Sequence, residues 1–343
     1  MFQIYMFYLI TLNQVDGHNL IMKKKVLITG IFGQDGTILS NLIKKDYDVI
    51  GVVRVGSSEE KIKQFVKESE IKIHRLDLLD YELTKDFIKS EKPEIIVNFA
   101  GHTDVISAWD DPKKTLLYNS LIPLHIMESI KNFSDEIFFF QSSSSLMYSN
   151  SNEHIINENS KYSPLYPYGI SKLQTHLLLN EYRKKYNLKC SSGIFFNHDS
   201  YYRNEKFLSK KVAKFVVAIL NGKDEKLNLG NLNSYRDISH ADDFMLGVEM
   251  IINNKINEDF IFSSGVSTKI LDFVKLFFDF TNLDFEKYVT FEKKLIRDSD
   301  YNIIGDNSKL KSFGWVNNYD IKSLVSNMIQ DEIENYKNID TLT

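Results

Sequence analysis

A chain of 343 residues with 42 Lys+Arg against 46 Asp+Glu carries a net charge of −4 and is 43% hydrophobic. That balance excludes a disordered chain and a basic protein that coats nucleic acid. The length accommodates one large or two modest domains. One cysteine, Cys190, excludes a disulfide framework or a multi-cysteine metal site and fits a reducing, cytoplasmic compartment. Met1 to Leu12 form an apolar run broken by Gln3 and Thr11. The run is too short for a spanning helix, which needs ~20 apolar residues, and it lacks the basic start and small-residue cleavage site of a signal peptide. Met22, followed by Lys23, Lys24 and Lys25, is expected to be the true start, with residues 1–21 a disordered or mis-annotated extension. No other segment reads as membrane-spanning.

From Val26 the chain alternates. A β-branched run, VLITG, ends in glycine; TILSNLIKK then has helical periodicity, and YDVIGVV is a second strand. Together they form a βαβ unit. The alternation continues through the strand in KIHRLDLLD, the helix in YELTKDFIKSEKP, the strand EIIVNFAG, the helix in TLLYNSLIPLHIMESIKN and the strand EIFFFQSSSS. Five parallel strands with crossover helices predict an α/β fold, a Rossmann-type doubly wound parallel sheet. A long helix follows YPYGISK, and another strand lies in KCSSGIFFN. Beyond Asp199 the regularity loosens. The expected organisation is a dinucleotide-binding domain over 22–198 and, over 199–343, a smaller mixed α/β substrate lobe with some chain returning to the first domain. Repeats and Pro-rich hinges are absent.

Gly30, Gly33 and Gly36 follow the first strand and open a helix. Glycines suit that place because the turn is tight, the backbone approaches a pyrophosphate, and the helix N-terminus offers free N–H groups to the anion. An ordinary tight turn is the alternative. The second strand ends at Arg54, where an acidic residue would grip the ribose diol of NAD. A cation there favours the 2′-phosphate of NADP; if Arg54 is only a solvated loop cation, NAD stays open. Asp77 and Leu78, after the third strand, are placed to meet the adenine.

Tyr168 and Lys172 are four residues apart, on one helix face. An ammonium near a phenol favours the phenolate, so the tyrosine can act as a general base although its free pKa is ~10. A YxxxK pair alone is weak evidence. With the glycine turn upstream and the hydroxyl run Ser142 to Ser145 closing a strand, it becomes strong.

These features resemble an extended short-chain dehydrogenase/reductase, and within that superfamily the GDP-mannose 4,6-dehydratases. The resemblance runs from Lys24 to about Trp315 and rests on GIFGQDG (30–36), FFNHDS (195–200), LGNLNSYRDISHADD (229–243) and RDSD (297–300). It implies that Ser144, Tyr168 and Lys172 are catalytic, with Ser144 on the sugar O4, Tyr168 taking the O4 proton and Lys172 holding the nicotinamide ribose. It implies cofactor contacts at Gly30, Gly33, Gln34, Asp35, Gly36, Arg54, Asp77, Leu78 and Ala100. It further implies substrate contacts at Asn197, Lys206, Arg236 and Arg297, whose cations suit a nucleotide diphosphate. The implied partner is a nucleotide sugar, GDP-linked as in that family, with a homodimer or homotetramer and without nucleic acid, membrane or metal.

One departure matters. Where the family pattern places a glutamate, the base for the sugar C5 proton, this chain has Leu146, and leucine cannot take a proton. Three readings follow: a 4,6-dehydratase whose base comes from elsewhere, such as Asp104 or His102; an enzyme of C4 redox only, a 4-epimerase, 4-ketoreductase or 4-dehydrogenase; or a non-catalytic binder. Val55, His102, Thr103 and Ser149 also depart from the pattern. His198 is expected to pack or hydrogen-bond, His240 with Asp242 and Asp243 to form a structural loop, Asn119 to support the site, and Lys210 and Lys211 to lie on a charged helix face. Phe138 to Phe140 and Phe277 with Phe278 are expected in the core.

Overall fold

The computed structural model describes residues 23–57, 71–105, 107–133, 136–230, 232–291 and 302–340. The calls on residues 1–21 and Met22, and on Arg297 with the RDSD segment, lie outside them.

Seven parallel strands form the main sheet in the order β11-β7-β5-β4-β1-β2-β3. They are β1 (Lys25–Thr29), β2 (Asp48–Val53), β3 (Lys72–Arg75), β4 (Ile95–Asn98), β5 (Phe138–Ser144), β7 (Cys190–Phe195) and β11 (Asp259–Phe262). The five expected strands are present, joined by β7 and by β11 from the chain beyond Asp199. Parallel strands covered on both faces read as continuous apolar runs, and every residue of β4, β5 and β7 is buried. The strand order reverses between β1 and β4, where open α/β sheets bind ligands beyond the strand ends.

The helices Gln34–Ile43 and Ala241–Asn254 pack together over one face of this sheet. On the other face the helix Tyr81–Glu91 packs on Ile122–Phe133, and the helix Pro167–Tyr186 lies beyond. Asp80 starts the helix Tyr81–Glu91 by accepting from Leu83 N at 3.0 Å, as an N-cap aspartate does. The segment expected as one helix over 115–132 is instead a short helix Pro112–Leu116, a π-helical turn Leu117–Leu121 and the helix Ile122–Phe133. A π turn inside a helix often marks a functional position, and Asn119 sits in this one.

The chain after Asp199 divides. The helix Ala241–Asn254 and β11 join the main sheet. The helices Leu208–Leu220, Ile270–Phe280 and Ile321–Asp340 enclose a separate core containing Val216, Phe273, Phe277, Phe278 and Leu324. Small sheets connect the two parts: β8 (Asn197–Asp199) with β10 (Tyr235–His240) and β12 (Ser267–Lys269), β9 (Leu227–Leu229) with β13 (Val289–Phe291), and β6 (Ile155–Ile156) with β14 (Ile304–Gly305). Asp237 ties β10 to its surroundings, accepting backbone N–H groups from Ser264, Gly265 and Gly305 at 2.7–3.1 Å. Among the described residues no helix is long and apolar enough to cross a membrane.

Candidate active site

The glycine turn is built by contact between β1 and β4. Gly30 has φ +68°, a conformation that favours glycine, and a Cβ there would stand 2.8 Å from the Ala100 nitrogen. A Cβ on Gly36 would stand 2.6 Å from both the Gly30 oxygen and the Ile31 Cα. Gly33 begins the helix Gln34–Ile43 without a side-chain cap, so its first N–H groups face the turn unmasked by a capping side chain, as anion binding requires.

A cleft of about 460 Å³ opens beside this turn. It gathers Gly30, Gly33, Arg54, Asp77, Leu78 and Ala100, all six of which the sequence pointed to as cofactor contacts, with His102, the candidate base, and adds Ser57, Lys114 and Tyr118. Gln34 and Asp35 turn elsewhere: their side chains reach His198 and Ser200. Lys114 carried no signal of its own, since its place at the cleft comes from the short helix beginning at Pro112. His102 is held at both ring nitrogens, Nδ1 3.0 Å from Thr115 Oγ1 and Nε2 3.2 Å from Ser107 Oγ. Burial, helped by Lys114 and Lys206, lowers its proton affinity, while Asp104 and Asp111 oppose them.

A buried polar chain runs along the strand ends. Thr29 Oγ1 donates to Asn98 Oδ1 at 2.5 Å, Asn98 Nδ2 to Gln141 Oε1 at 2.8 Å, and Gln141 Nε2 to the Ser142 carbonyl at 2.7 Å. Lys172 Nζ donates to that same carbonyl at 3.0 Å. The ammonium is 5.8 Å from the centre of the Tyr168 ring. Burial pulls the Lys172 pKa down to about 8, against the Asp35 carboxylate, which raises it. Ser144 ends β5; its Oγ accepts from Leu146 N at 3.2 Å, leaving the hydroxyl hydrogen available to another acceptor.

The helix carrying Tyr168 and Lys172 is seated closely on the Ser144 end. A Cβ on Gly169 would stand 2.5 Å from the Leu146 carbonyl oxygen. Asn119 braces the other side: Oδ1 accepts from His102 N at 2.7 Å, and Nδ2 donates to the His102 carbonyl and to Ser171 Oγ, each at 3.0 Å. Asn197 lies on β8 opposite Ile238, Arg236 on β10 opposite Thr268, and Lys206 is exposed in the loop before the helix Leu208–Leu220.

The sequence model of the GDP-mannose 4,6 dehydratase family matches residues 27–328. The chain belongs to the GDP-mannose 4,6-dehydratase family. It is 32% identical to the GDP-mannose 4,6 dehydratase of Cricetulus griseus over 274 residues, 77% of this chain and 74% of that protein. The dTDP-glucose 4,6-dehydratase of Bacillus anthracis, solved with NAD, has the same fold at a TM-score of 0.79 and 19% identity, covering 92% of this chain and 98% of its own. RMD of Pseudomonas aeruginosa, solved with NADPH, matches at 0.74 and 20%, covering 91% and 100%.

In this GDP-mannose dehydratase family member, Leu146 lies in a small apolar cluster with Ala108 and Tyr168, and Val105 and Tyr166 pack against it. At Leu146 the surface packed against the tyrosine is therefore hydrocarbon. His240 caps the helix Ala241–Asn254 by accepting from Asp242 N at 3.2 Å, and Asp243 accepts from Asn318 and Tyr319 N–H groups at 3.0 Å. These are structural contacts, and no group of three or more metal-ligating side chains occurs among the described residues. Lys211 donates to the Asn228 carbonyl. Lys210 differs from an open helix face: its ammonium pairs with the buried Glu332 at 2.5 Å and sits 3.6 Å from the Tyr201 ring centre.

Proposed function

We propose that this chain is a nucleotide-sugar 4,6-dehydratase-like enzyme that oxidises C4 of a GDP-linked hexose such as GDP-mannose, using NADP held at the glycine turn. The observation that carries the reading is the buried Lys172 ammonium, anchored on the Ser142 carbonyl beside Tyr168 and next to the Ser144 end of β5. The turn fits a dinucleotide because a Cβ at Gly30 or Gly36 would collide with the backbone of Ala100 or Ile31, so glycine is what permits the tight turn that brings the helix N-terminus to a pyrophosphate. Arg54 and Lys114, both at the cleft, support a 2′-phosphate and hence NADP over NAD.

When bound, the nicotinamide supplies a hydride acceptor at C4 and afterwards the same hydride for return to the sugar. The chain's residues do the rest. Ser144 directs its hydroxyl hydrogen to the sugar O4, because its oxygen is already engaged by Leu146 N. Tyr168 takes the O4 proton as the C4–H pair leaves as hydride, giving a ketone, and Lys172 stabilises the phenolate that does so. Asn197, Arg236 and Lys206 are assigned to the nucleotide diphosphate.

Elimination requires a base for the C5 proton. The two substitutes are His102, held at both ring nitrogens, and Asp104, part-buried in the loop after β4 with one carboxylate oxygen accepting from Ser107 N at 3.3 Å. The hydrocarbon wall at Leu146 favours a second reading, in which the enzyme performs only C4 redox, as an epimerase, ketoreductase or dehydrogenase. Incubation with GDP-mannose and NADP⁺ in deuterated water separates them. A 6-deoxy-4-keto product carrying deuterium at C5 supports dehydration. Inversion or oxidation at C4 without loss of water supports the second reading. No change at C4 with GDP-, UDP- or dTDP-hexoses refutes both.

A further inference from the structure

Thr29, Asn98 and Gln141 stand side by side on β1, β4 and β5, each in register with the next, and all three are buried. Their side chains form one hydrogen-bonded row. At one end the N–H of Ala100, at the edge of the cleft, donates to Thr29 Oγ1 at 3.2 Å. At the other end Gln141 and Lys172 both donate to the Ser142 carbonyl, at 2.7 and 3.0 Å, so both lone pairs of that oxygen are taken. Neither end can change its role, because a backbone N–H only donates and a carbonyl oxygen only accepts.

The polarity of the row follows from those ends. The Gln141 atom facing the Ser142 carbonyl must be Nε2, since Oε1 in that place would set lone pair against lone pair at 2.7 Å. Oε1 then faces Asn98, which must present Nδ2, at 2.8 Å. Asn98 Oδ1 in turn faces Thr29, whose hydroxyl must donate, at 2.5 Å, while its oxygen takes the Ala100 N–H. Each link has one orientation, and reversing any of them would leave a buried polar atom unmet, which is costly. Hydrogen bonds aligned head to tail also polarise one another. Ser142 Oγ braces the row by donating to the Asn98 carbonyl at 3.0 Å. The carbonyl that holds Lys172 is thus itself held by a row that begins on the backbone beside the glycine turn.

We propose that Thr29, Asn98 and Gln141 are positioning residues for Lys172, a one-way row of hydrogen bonds from the Ala100 N–H to the Ser142 carbonyl that keeps this carbonyl turned to the ammonium. The effect on the ammonium stands on the geometry alone; its consequence for turnover rests on the function proposed above. Thr29→Val removes the hydroxyl at the end far from the lysine and keeps the side-chain shape, whereas Thr29→Ser keeps the hydroxyl. The readout is the titration of Lys172 in carbon-13 NMR of the full chain labelled at lysine Cε, with the signal assigned by its loss in Lys172→Met. The ionisable groups acting on the ammonium, Tyr168 of its own helix and Asp35 of the helix Gln34–Ile43, are the same in both variants. Without the Thr29 donor the amides can reverse, and Gln141 then turns its oxygen on the Ser142 carbonyl and pushes it off the ammonium. The midpoint is expected to fall by about one pH unit in Thr29→Val, the scale of a hydrogen bond to a charged group, and to keep its wild-type value in Thr29→Ser. Gln141→Met, which removes the donor at the near end, is expected to give the same fall and serves where Thr29→Val does not fold. An unmoved midpoint in either folded variant overturns the positioning role. Neutron diffraction from deuterium-exchanged wild-type crystals tests the row with no variant at all: deuterium is expected on the Gln141 atom facing Ser142 and on the Asn98 atom facing Gln141, and the reverse placement overturns the row. On a nucleotide sugar that turns over, Thr29→Val should lower kcat about tenfold with the sugar KM unchanged, and Thr29→Ser should restore it; a shifted midpoint with an unmoved kcat overturns the consequence for turnover. Absence of turnover on every nucleotide sugar would refute the proposed function, while the titration and the diffraction still decide the row.

Discussion

Replacing Gly169 by alanine tests the seat between the Ser144 strand end and the tyrosine helix. The added Cβ would stand 2.5 Å from the Leu146 carbonyl oxygen, 3.1 Å from its carbonyl carbon and 3.3 Å from Pro164 Cβ, whereas ordinary contact begins near 3.4 Å. The parts must separate by about 0.9 Å, the difference between 3.4 and 2.5 Å. The nearest obstacle is backbone in a buried 3₁₀ turn, Ser145–Tyr148, so no flexible side chain can yield. Glycine to alanine inside a helix is ordinarily worth about 1 kcal/mol of added stability, and overpacking costs about 1–3 kcal/mol. The expected net effect is a loss of up to about 2 kcal/mol. Tyr168 is adjacent to the clash, and misplacement by about 1 Å can reduce turnover on the order of 10²-fold. Single-turnover formation of reduced nicotinamide from GDP-mannose should fall by about that factor, with dinucleotide affinity changed only a few-fold because the Gly30 cleft lies elsewhere. A raised melting temperature with unchanged turnover would refute the argument that this contact sets the tyrosine's position.

Three further outcomes are expected. Lys172 binds its proton less tightly folded, with a pKa of about 8 against 10.5 unfolded, so below pH 8 the folded chain carries a penalty of about 3 kcal/mol that disappears as pH rises from about 8 to 10.5; Lys172→Met should melt higher than wild type at pH 7, by about 1–2 kcal/mol after loss of the Ser142 hydrogen bond, with the advantage gone above pH 10, and a lower melting point at pH 7 would contradict this. Glu332→Ala leaves the Lys210 ammonium without its buried partner and should cost about 3–5 kcal/mol in urea unfolding, much of it recovered by Lys210→Met in the same chain. Leu146→Glu places a carboxylate beside Tyr168; if C4 redox is the native activity, it should introduce deuterium at C5 of the sugar in deuterated water, and an unlabelled product would argue against Leu146 as the missing base position.

The strands of the main sheet were legible because runs such as 95–97 and 138–140 are apolar on both faces, a pattern that belongs to buried parallel strands. The glycine turn was legible for a related reason: its residues are constrained by local backbone geometry. What the sequence hid depends on distant partners. Lys210 reads as a helix-face cation until Glu332, 122 residues later, lies against it. Gln34 and Asp35 enter as cofactor contacts through the family resemblance, and nothing local shows that their side chains are directed by His198 and Ser200. A return of the chain to the first domain was expected without a position; β11 comes more than sixty residues after β7, and no local periodicity marks where it lies.

The π-helical turn at Leu117–Leu121 has a consequence for how this family member can change. Such a turn holds one residue more than an α-helix would at that place. Deleting one residue there would restore an ordinary α-helix, with everything after it still facing the same way. Ile122, Ile126, Met127 and Ile130, all buried against the sheet, would keep their places, whereas Asn119, inside the turn, would lose its setting between His102 and Ser171. The extra residue thus serves the placement of Asn119 and not the packing of the helix, so its loss would be felt at the brace beside the tyrosine helix while the apolar stripe stayed intact.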